Sequence, residues 1–121
     1  MSPPGDTLSA AMVGQPCSWC GVEVRDDEGF RAAEPAGERR AVFCRLEHIV
    51  PWAIQGAHWE PGTVLRPGDS REALGRCVRC GKRLEDTYVL LVRHRGEHRI
   101  ADGFCGVDHL LEWAKAGGRW A

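Results

Sequence analysis

Two pairs of segments decide how this chain is read: CSWCG at 17–21 with FCRLEHIVPWAIQGAHW at 43–59, and CVRCG at 77–81 with FCGVDHLLEWAKAGGRW at 104–120. The second pair repeats the first, at an offset of 60 residues for the short segment and 61 for the long one. Identical residues include Cys17/Cys77, Cys20/Cys80, Gly21/Gly81, Phe43/Phe104, Cys44/Cys105, His48/His109, Trp52/Trp113 and Trp59/Trp120. All six cysteines fall inside the repeat, and cysteine and tryptophan are too rare to coincide so often by chance. A fixed-period repeat marks a duplicated supersecondary unit.

Each copy presents Cys-x2-Cys, then about two dozen residues, then Cys-x3-His. The four-residue spacing sets Cys44 with His48, and Cys105 with His109, on one face of a helix. Three thiolates and one imidazole complete a tetrahedral zinc shell with no position left for water, an arrangement that serves folding and not catalysis. The expected ligands are Cys17, Cys20, Cys44 and His48 for one Zn²⁺, and Cys77, Cys80, Cys105 and His109 for a second. Binding contributes roughly 10 kcal/mol or more to a unit this small.

The repeat also sets the domain organisation. Residues 1–16 read as a flexible tail, 17–59 as module one, 60–76 as a Pro/Gly-punctuated linker, and 77–121 as module two. Within a module, CxxCG makes a tight knuckle whose glycine supplies positive φ. In module two, TYVLLVRH (87–94), the turn RGEH and RIADGF then predict a β-hairpin. The counterpart in module one, VRDDEGFRAAEPAGERRAVF, is weaker as strand. Val107, Leu110, Leu111 and Ala114 recur at helical spacing and stop at Gly117-Gly118. Pro51 makes the matching helix of module one short, kinked or late to start.

Length and composition agree with metal-held units. The chain has 121 residues, with 15 Gly, 7 Pro and only nine aromatic residues, five of them Trp, so one large apolar core is not expected. No 18-residue apolar run is present, which excludes a transmembrane helix. MSPPGDTLSAAMVGQP (1–16) lacks the pattern of a secretory signal. A cytoplasmic location follows as an expectation, and there CxxC pairs bind metal or do redox work more often than they form disulfides. The excess of Arg over Lys, with many Ala and Gly, suggests a bacterial source.

The order knuckle, hairpin, helix resembles the treble-clef zinc finger. The FC at 43–44 and at 104–105 is similar to the TRASH/MYM branch of that group, although those families carry a Cys at a shorter spacing where this chain has His48 and His109. The resemblance implies a small metal-stabilised α+β fold of two tandem treble-clef-like zinc modules. A second resemblance is local: Glu47-His48-Ile49-Val50-Pro51 looks like the core of HNH nucleases. It implies an alternative in which His48 is a general base, Glu47 helps to hold a catalytic metal, and Cys17, Cys20, Cys77 and Cys80 share one structural zinc. The later Asn and His of that family are absent from CVRCGKRLEDTY (77–88).

Net charge is −1, which gives no whole-chain case for nucleic acid or membrane. The charge is divided, however. Residues 1–70 carry six basic and ten acidic side chains, net −4, and residues 71–121 carry ten and seven, net +3. Arg93, Arg95 and Arg99 are the candidates for contacting phosphates if nucleic acid binds. Trp19, Trp59 and Trp120 are candidates for contacts between modules or with a partner, because Trp anchors interfaces. The sequence points to an adaptor with two structural zinc ions that binds a protein partner, or nucleic acid through module two. The alternatives are the nuclease and a thiol-based metal or redox handling protein.

Overall fold

The hairpin expected in module two sets the frame. Val89, Leu90, Leu91 and Val92 are all buried, so this β-branched and aliphatic run forms a strand covered on both faces. The computed structural model describes residues 14–62, 66 and 68–118. The expected tail is described only from Gly14 onward, and Trp120 lies outside the described residues. The strands are β1 (Gln15–Pro16), β2 (Glu23–Val24), β3 (Glu28–Glu34), β4 (Arg39–Phe43), β5 (Glu60–Pro61), β6 (Val89–Arg95) and β7 (His98–Phe104). The helices are α1 (Ile49–Ile54), α2 (Arg71–Leu74) and α3 (Val107–Lys115), with 3₁₀ turns at Pro35–Gly37 and Leu46–His48.

Both modules form their hairpin, β3–β4 in the first and β6–β7 in the second. The hairpins are then joined. β3 pairs antiparallel with β6 from Glu28↔Arg95 to Ala33↔Leu90, giving one five-stranded sheet in the order β5-β4-β3-β6-β7. The registers Phe30↔Phe43 and Val89↔Phe104 make Phe30 and Val89 equivalent positions. Ala32 and Leu91 are then equivalent as well, and they pair with each other. A pseudo-twofold axis therefore passes between them.

Directly paired residues share a face of a sheet. Phe43, Ala32, Ala41, Leu91 and Phe104 share the face on which α1 and α3 lie side by side. Trp52 meets Phe43 edge-on with ring centroids 5.0 Å apart, and Trp113 tilts against Phe104 at 5.3 Å. Ile49 and Leu110, which are repeat partners, are fully buried beside them. Each module contributes the same residues to one common core. Two units too small to fold around separate apolar centres share a single centre instead.

The opposite face is closed in part by the segment that was expected to link the modules. A Cβ at Gly103 would collide with Leu84 and touch Leu74 of α2, so a larger residue there would have to displace the Leu84 side chain. Asp69 is buried and accepts from both terminal guanidinium nitrogens of Arg99, at 3.0 and 2.6 Å. It also accepts from the Arg66 amide at 2.8 Å, and its own carbonyl accepts from the Tyr88 hydroxyl at 2.9 Å. The segment is thus strapped to β7 at Asp69 and Leu74.

Pro51 has a plain consequence. Residues Leu46–His48 form a 3₁₀ turn, and α1 begins at Ile49. Pro51 then sits in the first turn, where its missing N–H has no carbonyl to serve. The helix starts late, as one of the three expected outcomes, and has six residues against nine in α3.

A shared core and a strapped linker should unfold together. Urea unfolding followed by Trp fluorescence is expected to give one transition, and Asp69→Ala should lower stability by about 2–4 kcal/mol by leaving Arg99 without its carboxylate. Two separate transitions would contradict the common core.

Candidate metal centres

The knuckles are built by the same hydrogen bonds in both modules. The Cys17 amide donates to the Val22 carbonyl at 2.7 Å and the Gly21 amide to the Cys17 carbonyl at 3.0 Å; the Cys77/Lys82 and Gly81/Cys77 bonds are 2.8 and 2.9 Å. Gly21 and Gly81 close these turns with φ of 81° and 79°, a region that disfavours any side chain. Each knuckle is docked on its own hairpin. The Ser18 amide donates to the Val42 carbonyl at 2.6 Å, and the Val78 amide to the Gly103 carbonyl at 2.9 Å. The last two ligands enter from the turn after β4 or β7 and the helical segment beyond it.

The result is two groups of four donors, Cys17, Cys20, Cys44 and His48 in one, and Cys77, Cys80, Cys105 and His109 in the other. In each group the donor atoms all lie within 4.8 Å of one another. The first group has Cys17 Sγ to His48 Nδ1 at 3.7 Å, Cys44 Sγ to His48 Nδ1 at 3.3 Å, and Cys20 Sγ to Cys44 Sγ at 3.6 Å. The second has Cys77 Sγ to His109 Nδ1 at 3.6 Å and Cys80 Sγ to Cys105 Sγ at 3.4 Å. A zinc tetrahedron with ordinary bond lengths has edges of about 3.8 Å between sulfurs and about 3.6 Å from sulfur to nitrogen. The sulfur–sulfur separations are far beyond a disulfide bond of about 2.05 Å. Each group can hold one metal ion, and three sulfurs with one imidazole is a donor set that suits zinc.

Electrostatics within the groups is divided in the same way twice. Burial pushes the Cys17 thiol up, but the amides of Cys20, Cys44 and Trp19 point at its sulfur and, with His48, bring it down to about 6. Cys77 is lowered by the equivalent amides of Cys80, Cys105 and Arg79. Cys44 and Cys105 are pushed up to about 12, first by burial and then by the neighbouring cysteines. Sulfurs crowded this closely cannot all ionise unless a cation joins them.

The sequence-derived residues can now be placed. All eight expected ligands meet in the expected sets. The single four-cysteine site implied by the nuclease resemblance does not form, because each CxxC is docked on its own hairpin and faces its own Cys-x3-His. The His48 ring points its Nδ1 into the cysteine cluster, and Glu47 is exposed outside it. Arg93, Arg95 and Arg99, the candidate phosphate contacts, do not share one face of the sheet. Arg99 pairs with His94, so it lies on the sheet face opposite Arg93 and Arg95, and its guanidinium is held by Asp69. Trp59 packs edge-on against Trp52 at 4.9 Å with the Arg39 guanidinium over its ring, so it belongs to the core of module one. Trp19 is exposed. Comparison of the chain with protein-family models, with curated proteins and with solved structures finds no match.

Metal affinity should rise with pH. At neutral pH the Cys44 and Cys105 thiols carry protons that an incoming ion must displace, so raising the pH from 6.5 to 8 assists binding at each site. Competition with a chromophoric chelator is expected to show at least about a tenfold gain in Zn²⁺ affinity per pH unit. A flat profile would mean that these thiols are not ligands.

Proposed function

We propose that the protein is a non-catalytic zinc adaptor: two structural Zn²⁺ ions each close a treble-clef-like module, and module one docks a protein partner. The eight donors fill both shells and leave no coordination position for a substrate or a water nucleophile. Free cysteines in both groups suit a reducing compartment such as the cytoplasm.

The observation that carries the partner reading is a contrast between equivalent surfaces. The exposed large apolar residues of module one include Trp19 at 39%, Val22 at 52% and Ile54 at 64%. Their repeat counterparts in module two are Arg79, Lys82 and Lys115. Arg79 pairs with Glu112 of α3 at 3.1 Å, and the counterparts of those two residues are Trp19 and Pro51. Module two holds the same skeleton with charges at these positions, so folding does not require the apolar set. Exposed apolar residues that folding does not need suit a partner-binding surface, and Trp is the usual anchor of one.

Metal analysis of the purified chain should find two zinc ions, with one remaining tightly held after His48→Ala. A single tightly held zinc together with a weakly held Mg²⁺-type ion would favour the nuclease instead. The triple change Trp19→Arg, Val22→Lys, Ile54→Lys copies the module-two surface onto module one. It is expected to leave zinc content and unfolding unaltered and to lower affinity for the native partner at least about a hundredfold, a loss of roughly 2.7 kcal/mol.

A further inference from the structure

A cleft lies at the mouth of the second knuckle, lined by none of the eight donor residues. It has a volume of about 460 Å³ and is lined by Arg71, Glu72, Gly75, Arg76, Arg83 and Leu84, a size within the usual range for small-molecule sites. Arg76 and Arg83 oppose each other across an antiparallel bridge. The flanking bonds, Cys77 amide to Lys82 carbonyl at 2.8 Å and Leu84 amide to Gly75 carbonyl at 2.9 Å, make them a non-hydrogen-bonded pair. Such pairs bring their Cα atoms to about 4.5 Å and their side chains closest together. Two like charges set directly opposite are destabilising.

The fold does not impose this repulsion. The equivalent pair in module one is Pro16↔Glu23, which builds the same bridge without two cations. Arg76 donates to the Gly81 carbonyl at 3.0 Å, and Arg71 pairs with Asp86 at 2.9 Å. Among the described residues no hydrogen bond or ion pair engages the Arg83 guanidinium. Three arginines therefore line one cleft; Glu72, its one acidic lining residue, pairs with Arg71 at 3.4 Å, and the buried Leu84 adds an apolar wall. Guanidinium forks match the oxygens of a phosphate group in geometry and charge.

We propose that this cleft is a phosphate-binding site, in which Arg76 and Arg83 grip the phosphate oxygens from two sides and Arg71 closes the third. A bound dianion turns the cross-strand repulsion into a bridged contact. The site is separate from the zinc reading, since no lining residue belongs to either group of four donors.

The test uses the zinc-loaded full chain in chloride buffer, with ¹⁵N-detected Arg side-chain resonances and zinc content checked in every sample. Inorganic phosphate and a single-stranded oligonucleotide are titrated separately and then in competition. Saturable shifts of the Arg76 and Arg83 resonances are expected with phosphate, and Arg83→Glu should weaken binding at least about tenfold. The same substitution copies Glu23 of module one, so in phosphate-free buffer it should raise Tm while it abolishes the stabilisation that phosphate gives the unaltered chain. Salt-sensitive oligonucleotide binding that phosphate displaces assigns the site to a nucleic-acid backbone; phosphate binding without oligonucleotide binding assigns it to a small phosphorylated molecule. Either result supports a phosphate site. Absence of shifts with both probes, or equal binding by Arg83→Glu, overturns it, and normal zinc content in those samples leaves the metal reading untouched.

Discussion

The antiparallel pairing of β3 with β6 is the constraint on which the rest of the structure depends. Either hairpin alone would leave a long, largely apolar strand at a sheet edge, with unpaired amides and carbonyls open to other chains. Pairing the two edges satisfies both, and it fixes where everything else can go. α1 and α3 are brought side by side because each is tied to its own hairpin, and the hairpins share a pseudo-twofold axis at Ala32 and Leu91. The alanines are part of the solution. Ala32 and Ala41 are fully buried on the face that carries α1 and α3, and small side chains there leave room for Leu91 and the aromatic rings around the axis. Two similarly built hairpins are in effect paired as a dimer within one chain, their interface a continuous sheet.

Pseudo-symmetry also gives each module a built-in comparison. The positions that make knuckle, hairpin and helix are preserved in both copies: the cysteines, the knuckle glycines, Phe43/Phe104, Ile49/Leu110 and Trp52/Trp113. The positions facing outward from the knuckle are not. Trp19, Val22 and Glu23 in one copy stand against Arg79, Lys82 and Arg83 in the other. Folding alone would let both copies keep the same surface, because the skeleton tolerates either. Opposite choices at matched positions separate the requirements of the fold from those of interaction, without any second protein being needed for the comparison.

What could be read from sequence follows the range of the interactions. Cys-x2-Cys and the helical spacing after Cys105 are local patterns, and the structure assembles them as spaced. The four-residue spacing puts Cys44 and Cys105 on a helix face with His48 and His109, but they stand instead in the turn before the helical segment. The joining of the hairpins is not local, and the repeat hides it. Its offset is 60 residues at Cys17/Cys77, 59 at Phe30/Val89 and 61 at Phe43/Phe104, so identity fades where the strands meet. β3 is also poor in β-branched residues, and burial between neighbours stabilises it more than propensity does. Arg99 illustrates the same limit. By composition it belongs to a basic run with Arg93 and Arg95, but its partner Asp69 lies 30 residues away in a segment with no regular pattern, and only the fold brings the two together.

The two donor groups share this logic of enforced proximity. A cysteine lowered to about 6 by amides and another raised to about 12 by burial and then by crowding sit in one cluster, which is an unstable arrangement for bare thiols. The amides of Cys20 and Trp19 that help to lower Cys17 belong to the knuckle turn itself, whereas Cys44 becomes a good ligand only when a cation offsets its neighbours. Knuckle and helix are thus drawn together by a charge that neither can supply. The helix of module one needs this most. It has six residues with a proline in its first turn, too short to persist alone, and Ile49 and Trp52 are its two buried residues. The longer α3 adds Leu110, Trp113 and Ala114 to its buried face. Loss of the ion should therefore loosen the first module before the second, at the end of the molecule where the exposed Trp19 is presented.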